Sequence, residues 1–113
     1  MNEPHDELLS YLSEIYNKSL PIYELVTTMN YDRQRALLNI NELYTNYAIL
    51  ELFIKIQPEL ASEQLSSYMK IFDDFYFELK QVFLKEDNDT ALLYSKLSAL
   101  RDAFEATDWF NKL

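Results

Sequence analysis

The chain has 113 residues, 49% of them apolar and 26% charged, which is material for one packed domain with a solvated surface and excludes a disordered chain. It has no glycine and no cysteine, so positive-φ turns and phosphate-cradling loops are expected to be rare, disulfides and thiolate metal sites are excluded, and a helical fold is favoured over a strand-rich one. Its 19 acidic and 10 basic residues leave a formal net charge of −9, which repels phosphate backbones and anionic lipid and removes nucleic acid from the candidate partners.

The N-terminal run MNEPHDELLSYL carries acidic residues where a signal peptide carries positive charge, and no apolar h-region follows, so a cytoplasmic location is expected. The first predicted helix spans about His5 to Thr28, with Leu8, Leu12, Ile15, Ile22 and Val26 on one face at steps of three, four and seven. Pro21 removes a backbone donor inside it, which predicts a kink or a break near Ser19 and Leu20. The second helix begins at a cap, Asn30 or Asp32, and carries the stripe Ala36, Ile40, Leu43, Tyr47, Leu50 and Ile54. Within it AILELFIKI, Ala48 to Ile56, is the most apolar stretch. It contains Glu51 and Lys55 and is too short to cross a bilayer, so no membrane insertion is expected.

Pro58 closes the second helix and is placed to open the third, where a missing donor costs nothing. The third helix carries Leu65, Tyr68, Phe72, Tyr76, Leu79 and Phe83. The polar run Lys85 to Asp89 breaks the chain again, with Asp87, Asn88 and Asp89 suited to capping the fourth helix and to the positive end of its dipole. Leu93, Leu97, Leu100 and Phe104 form the last stripe. Four helices joined by short connections run antiparallel to their sequence neighbours, so the expected fold is all-α: an up-down-up-down four-helix bundle forming one domain over residues 1–113.

Apolar side chains remain after each helix has received one core stripe. Helix three also has Ile71, Phe75 and Val82, helix two has Ile49, Leu52 and Ile56, and helix one has Leu9, Tyr16, Leu20 and Tyr23. A bundle helix buries a stripe about 100° wide, so a second stripe either widens the core contact or faces outward. In the outward case Ile49, Leu52, Ile56, Ile71, Phe75 and Val82, on consecutive helices, are the candidate partner-binding residues of a groove for an amphipathic helix. A second copy of the chain is an alternative occupant. Nine tyrosines suit an interface, since each joins apolar area to a polar tip.

No enzyme is expected. His5 is the only histidine and sits beside Pro4 near the chain end, where it can complete neither a triad nor a zinc site, and is read as solvated. No Glu-x-x-His pair is present for a di-iron site, and glycine-dependent nucleotide and nucleophile motifs cannot form. Asp73 with Asp74 and Asp87 with Asp89 are read as solvated or capping pairs rather than acid–base pairs. No cofactor is expected.

In Ile71 to Asp89, IFDDFYFELKQVFLKEDND, followed by Thr90 to Phe104, TALLYSKLSALRDAF, the chain resembles the FliS-type flagellar export chaperones in their third helix, the break after it and their closing Leu-Arg-Asp-x-aromatic signature. The strongest match is Leu100, Arg101, Asp102 and Phe104. Weaker matches are Glu7, Leu8 and Leu9, and Met29 to Leu43, where the family enters its second helix. The chain departs from the family at Phe104, where tryptophan is common, and at Phe77 and Glu78, where basic residues are usual. It also begins almost at the first helix, without the family's tyrosine-containing arm. The resemblance implies a cytosolic four-helix chaperone that binds the C-terminal helical segment of flagellin and prevents its premature polymerisation. The charge suggests a different class as alternative, a small acidic inhibitor or immunity protein that blocks a basic enzyme.

Overall fold

The computed structural model describes residues 3–85 and 90–106, apart from the side chains of Glu3 and His5. Four helices follow one another, α1 (Glu3–Val26), α2 (Arg33–Ile56), α3 (Glu63–Leu84) and α4 (Thr90–Glu105), with a short 3-10 turn at Pro58–Leu60. Cross-helix pairs give their directions. Tyr11 meets Phe53 and Lys18 meets Asn46 between α1 and α2, Tyr44 meets Tyr76 and Tyr47 meets Phe72 between α2 and α3, and Tyr16 meets Phe104 and Tyr23 meets Tyr94 between α1 and α4. In each set one number rises as the other falls, so the neighbours are antiparallel and the bundle is up-down-up-down. No strand occurs among the described residues.

The helix ends follow local chemistry. Asp32 rather than Asn30 caps α2, its carboxylate accepting from the Gln34 and Arg35 amides at 3.0 and 3.2 Å. Asn30 instead takes φ 58 in the turn before it. Asparagine is the residue that tolerates this left-handed backbone best when glycine is absent. Pro58 does not open α3. It starts the 3-10 turn, and α3 begins five residues later behind Ser62, whose hydroxyl accepts from the Leu65 amide at 3.1 Å. A capping hydroxyl thus sets the start that the proline was expected to set. The capping roles expected of Asp87, Asn88 and Asp89 lie outside the described residues, as does the side chain of His5.

Helix α1 runs continuously from Glu3 to Val26 through Pro21, so of the kink or break expected near Ser19 and Leu20 the break does not occur. Pro21 and Asn17 are both exposed, so the Asn17 carbonyl that loses its donor faces water, while Ile15, Ile22 and Val26 hold the helix to the core on either side. Ser19, fully buried, donates its hydroxyl to the Ile15 carbonyl at 2.8 Å.

The predicted stripes face inward and form one core. Ile54, Tyr76 and Phe104 are its partly buried members. The helices are not evenly spaced: α1 lies close to α2 and α4, and α3 close to α4, whereas the α2 and α3 backbones stand farther apart. Aromatic rings bridge that wider seam, Tyr47 stacking on Phe72 at 4.4 Å, Phe72 on Tyr76 at 5.9 Å and Tyr76 on Tyr44 at 5.5 Å. At one end the Arg33 guanidinium lies 4.5 Å from the Phe83 ring and donates to the Phe83 carbonyl at 3.0 Å. Tyr68 ties α3 to α1 by donating its hydroxyl to the Leu12 carbonyl at 3.0 Å.

Candidate functional site

Helix α2 is apolar on two opposite sides. At about 100° per residue, Ala36, Ile40, Leu43, Tyr47 and Leu50 cluster along one line of the helix, and all are buried. On the far side, about 160–220° away, lie Leu38, Ile49, Leu52 and Ile56. Their exposures are 64, 43, 58 and 67%. Between them on the same face are Glu42 and Thr45, both exposed. The six positions 38, 42, 45, 49, 52 and 56 alternate steps of four and three, the spacing of a coiled-coil seam.

The six residues expected to line a groove therefore separate. Ile49, Leu52 and Ile56 stand outward on α2 as the outward reading requires. Phe75 and Val82 are core residues of α3, 0 and 5% exposed, and Ile71 is partly buried against them. They cannot line a groove with the α2 residues, because they are enclosed in the core while Ile49, Leu52 and Ile56 stand on the side of α2 opposite it. On α3 the second stripe widens the core contact. Leu38, absent from the expected set, joins the α2 face; its signal was the seven-residue spacing that continues through Thr45 to Leu52.

One edge of this face runs into a depression of about 350 Å³ toward α1, lined by Lys18, Leu38, Asn41, Glu42, Thr45, Asn46 and Ile49. Lys18 fixes its floor by donating to the Asn46 side-chain oxygen at 2.7 Å, with Glu14 at 3.9 Å on the other side. The face is thus an aliphatic ridge beside a small polar trough, which suits the packing of another helix better than the enclosure of a small molecule.

The titratable groups near the α2/α3 seam are arranged for packing. Tyr47 donates its hydroxyl to the Met69 carbonyl at 3.3 Å. Burial first, then the negative charge of Asp73, pushes its pKa well above the ordinary tyrosine value. Burial likewise raises Tyr68 and Tyr76. All three remain neutral at physiological pH. Asp73 is exposed and Asp74 partly buried, on successive residues of one helix and so turned about 100° apart. Among the described residues no group of three or more His, Cys, Asp or Glu side chains is placed to hold a metal ion, and no helix is long and apolar enough to cross a membrane. Glu78, buried at 6% on α3, was not anticipated. Its place between Phe75 and Val82, three and four residues away, was the available signal. Compared with known proteins, the chain matches no family model, no curated protein and no solved structure.

Proposed function

We propose that the protein is a helix-binding chaperone that receives an amphipathic helix of another protein along the outer face of α2 and shields it from self-association. The observation that carries this reading is the row Leu38, Ile49, Leu52 and Ile56, four large aliphatic side chains exposed at helical spacing opposite the core. Such a row adds little to the stability of the folded chain while it faces water. Covered by a partner's apolar stripe, it supplies the anchors of a helix-in-groove complex. The resemblance of Ile71 to Phe104 to the FliS-type chaperones supplies the partner in this reading, the C-terminal helical segment of flagellin, held in the cytosol before export.

Titration calorimetry with a flagellin C-terminal peptide tests the proposal. Binding is expected, with at least a tenfold loss for Leu52→Glu, which places a charge in the middle of the face, about 1.4 kcal/mol or more. Absence of heat and of any chemical-shift change at high micromolar peptide would rule out flagellin as the partner. If a panel of unrelated amphipathic helices also failed to bind, the helix-binding reading itself would fall.

A further inference from the structure

Pro21 leaves α1 with one backbone acceptor in excess. No N–H exists at position 21, so the Asn17 carbonyl has no donor within the helix, and both residues are exposed. The Lys18–Asn46 and Tyr11–Phe53 pairs set the level of α1 against α2, and by that level Glu42 stands across the seam from Pro21 and Ile22. A hollow of about 180 Å³ opens there, lined by Asn17, Lys18, Pro21, Ile22, Asn39 and Glu42. Its volume is well above the roughly 30 Å³ of one water molecule and below the roughly 300 Å³ at which small-molecule sites begin, so it matches one side chain rather than a whole ligand.

The hollow presents acceptors whose donors are missing. The Glu42 carboxylate makes no hydrogen bond or ion pair among the described residues, and the half-buried Asn39 carboxamide can turn its oxygen to the same space. Lys18, the cation that lines the hollow, is held away from it. Its ammonium lies 2.7 Å from the Asn46 Oδ1 and 3.9 Å from Glu14, both farther along the bundle from Pro21. Arg35 is two helical turns from Glu42, about 10 Å. An anionic group entering the hollow would meet a carboxylate and a bare carbonyl. A guanidinium satisfies both, because its donors form a fork that serves two separate acceptors. Pro21 and the buried Ile22 supply an apolar wall for a methylene stem. We infer that the hollow at Pro21 receives an arginine side chain from a bound segment, with Glu42 and the Asn17 carbonyl accepting from its guanidinium.

Glu42 also lines the depression that reaches Leu38 and Ile49, so an arginine held here lies beside the aliphatic row of α2. A client helix is thereby selected for an apolar stripe flanked by an arginine, a condition that the row alone does not impose. The net charge of −9 favours the approach of such a basic segment. Delivery of the arginine by a helix rests on the proposed function, whereas the hollow itself is open to test with a small probe.

An NMR titration of the full chain with acetyl-arginine amide should shift the Asn39 side-chain signals and the Glu42 amide, with millimolar affinity. Acetyl-citrulline amide, of the same shape without the charge, should bind at least about threefold more weakly. Glu42→Gln should weaken arginine binding by a similar factor. Pro21→Ala returns an N–H to the Asn17 carbonyl, and should weaken arginine binding while raising the unfolding midpoint, a loss that unfolding does not explain. A leucine-striped amphipathic peptide should bind at least about threefold more tightly with a flanking arginine than with citrulline in its place. Equal binding of the arginine and citrulline probes, or arginine binding unchanged in both Glu42→Gln and Pro21→Ala, would overturn the site and leave helix binding standing. Arginine amide bound under conditions where no amphipathic helix binds would keep the site and sink the helix-binding reading.

Discussion

On α3 the side chains beside the central stripe are taken into the core: Phe75 and Val82 are as buried as Phe72 and Phe83. On α2 the extra aliphatics stand in solvent, with Ile56 and Leu38 about two-thirds exposed. The difference is angular. Phe75 and Val82 sit only about 60–80° around the helix from Phe72, so a neighbouring helix covers both sets at once. Leu52 lies about 160° from Ala36, and no single packing surface reaches both. An offset below a right angle therefore broadens a core, whereas an offset near a half turn leaves a face for something else. The wide α2/α3 seam, filled by Tyr44, Tyr47, Phe72 and Tyr76, keeps α2 at the edge of the bundle where its far side stays open.

The contrast predicts opposite responses to truncation. Phe75→Ala should cost about 3–5 kcal/mol in urea unfolding, since a fully buried ring leaves a cavity. A loss under 1 kcal/mol would mean that Phe75 is not core and that the α3 stripe faces outward after all.

Next in size are the ties that hold the frame in which α2 is presented. Tyr68→Phe removes the hydroxyl bond to Leu12 and should cost about 1 kcal/mol at neutral pH. Tyr47, Tyr68 and Tyr76 all have raised pKa values. The folded state holds these protons more tightly than the unfolded state, so the stabilisation is fully present below the ordinary tyrosine pKa of about 10 and is lost as pH rises beyond it. The unfolding midpoint should fall above about pH 10, less steeply in Tyr68→Phe than in the natural chain; an equally steep fall in both would remove Tyr68 as a contributor. Asp32→Ala should cost about 1 kcal/mol by uncapping α2, with Asp32→Asn losing much less.

The smallest expected stability change comes from the face itself. Leu52→Ser should alter folding stability by no more than about 0.5 kcal/mol, because the side chain already faces water. It should nevertheless weaken helix binding in the calorimetric titration. A stability loss comparable to that of Phe75→Ala would show that the outer row is part of the core and sink the comparison.

Much of this was legible from residues alone. The stripes on α1 and α4 and the five buried positions of α2 follow from spacing, and Asp32 is a sound cap by side-chain chemistry. Even the fate of Phe75 and Val82 was accessible, since their angular offset from Phe72 is a property of helix geometry. Pro21 and Pro58 were less transparent. Whether a proline breaks a helix depends on whether its orphaned carbonyl meets water or core, and at Asn17 it meets water. Whether Pro58 or Ser62 starts α3 was a competition between two valid local signals.

What the sequence by itself determined, then, is the set of helices, their antiparallel order and the two opposed apolar lines on α2, because periodicity, caps and short connections act within a few residues of one another. Only the tertiary structure decided that the far side of α2, with Leu52 and Ile56, is left uncovered rather than taken into a wider core, and that rings rather than backbone contact close the α2/α3 seam. Those outcomes depend on residues far along the chain, on Phe72 and Tyr76 filling the space beside Tyr47 and Tyr44, and no local pattern in α2 contains them.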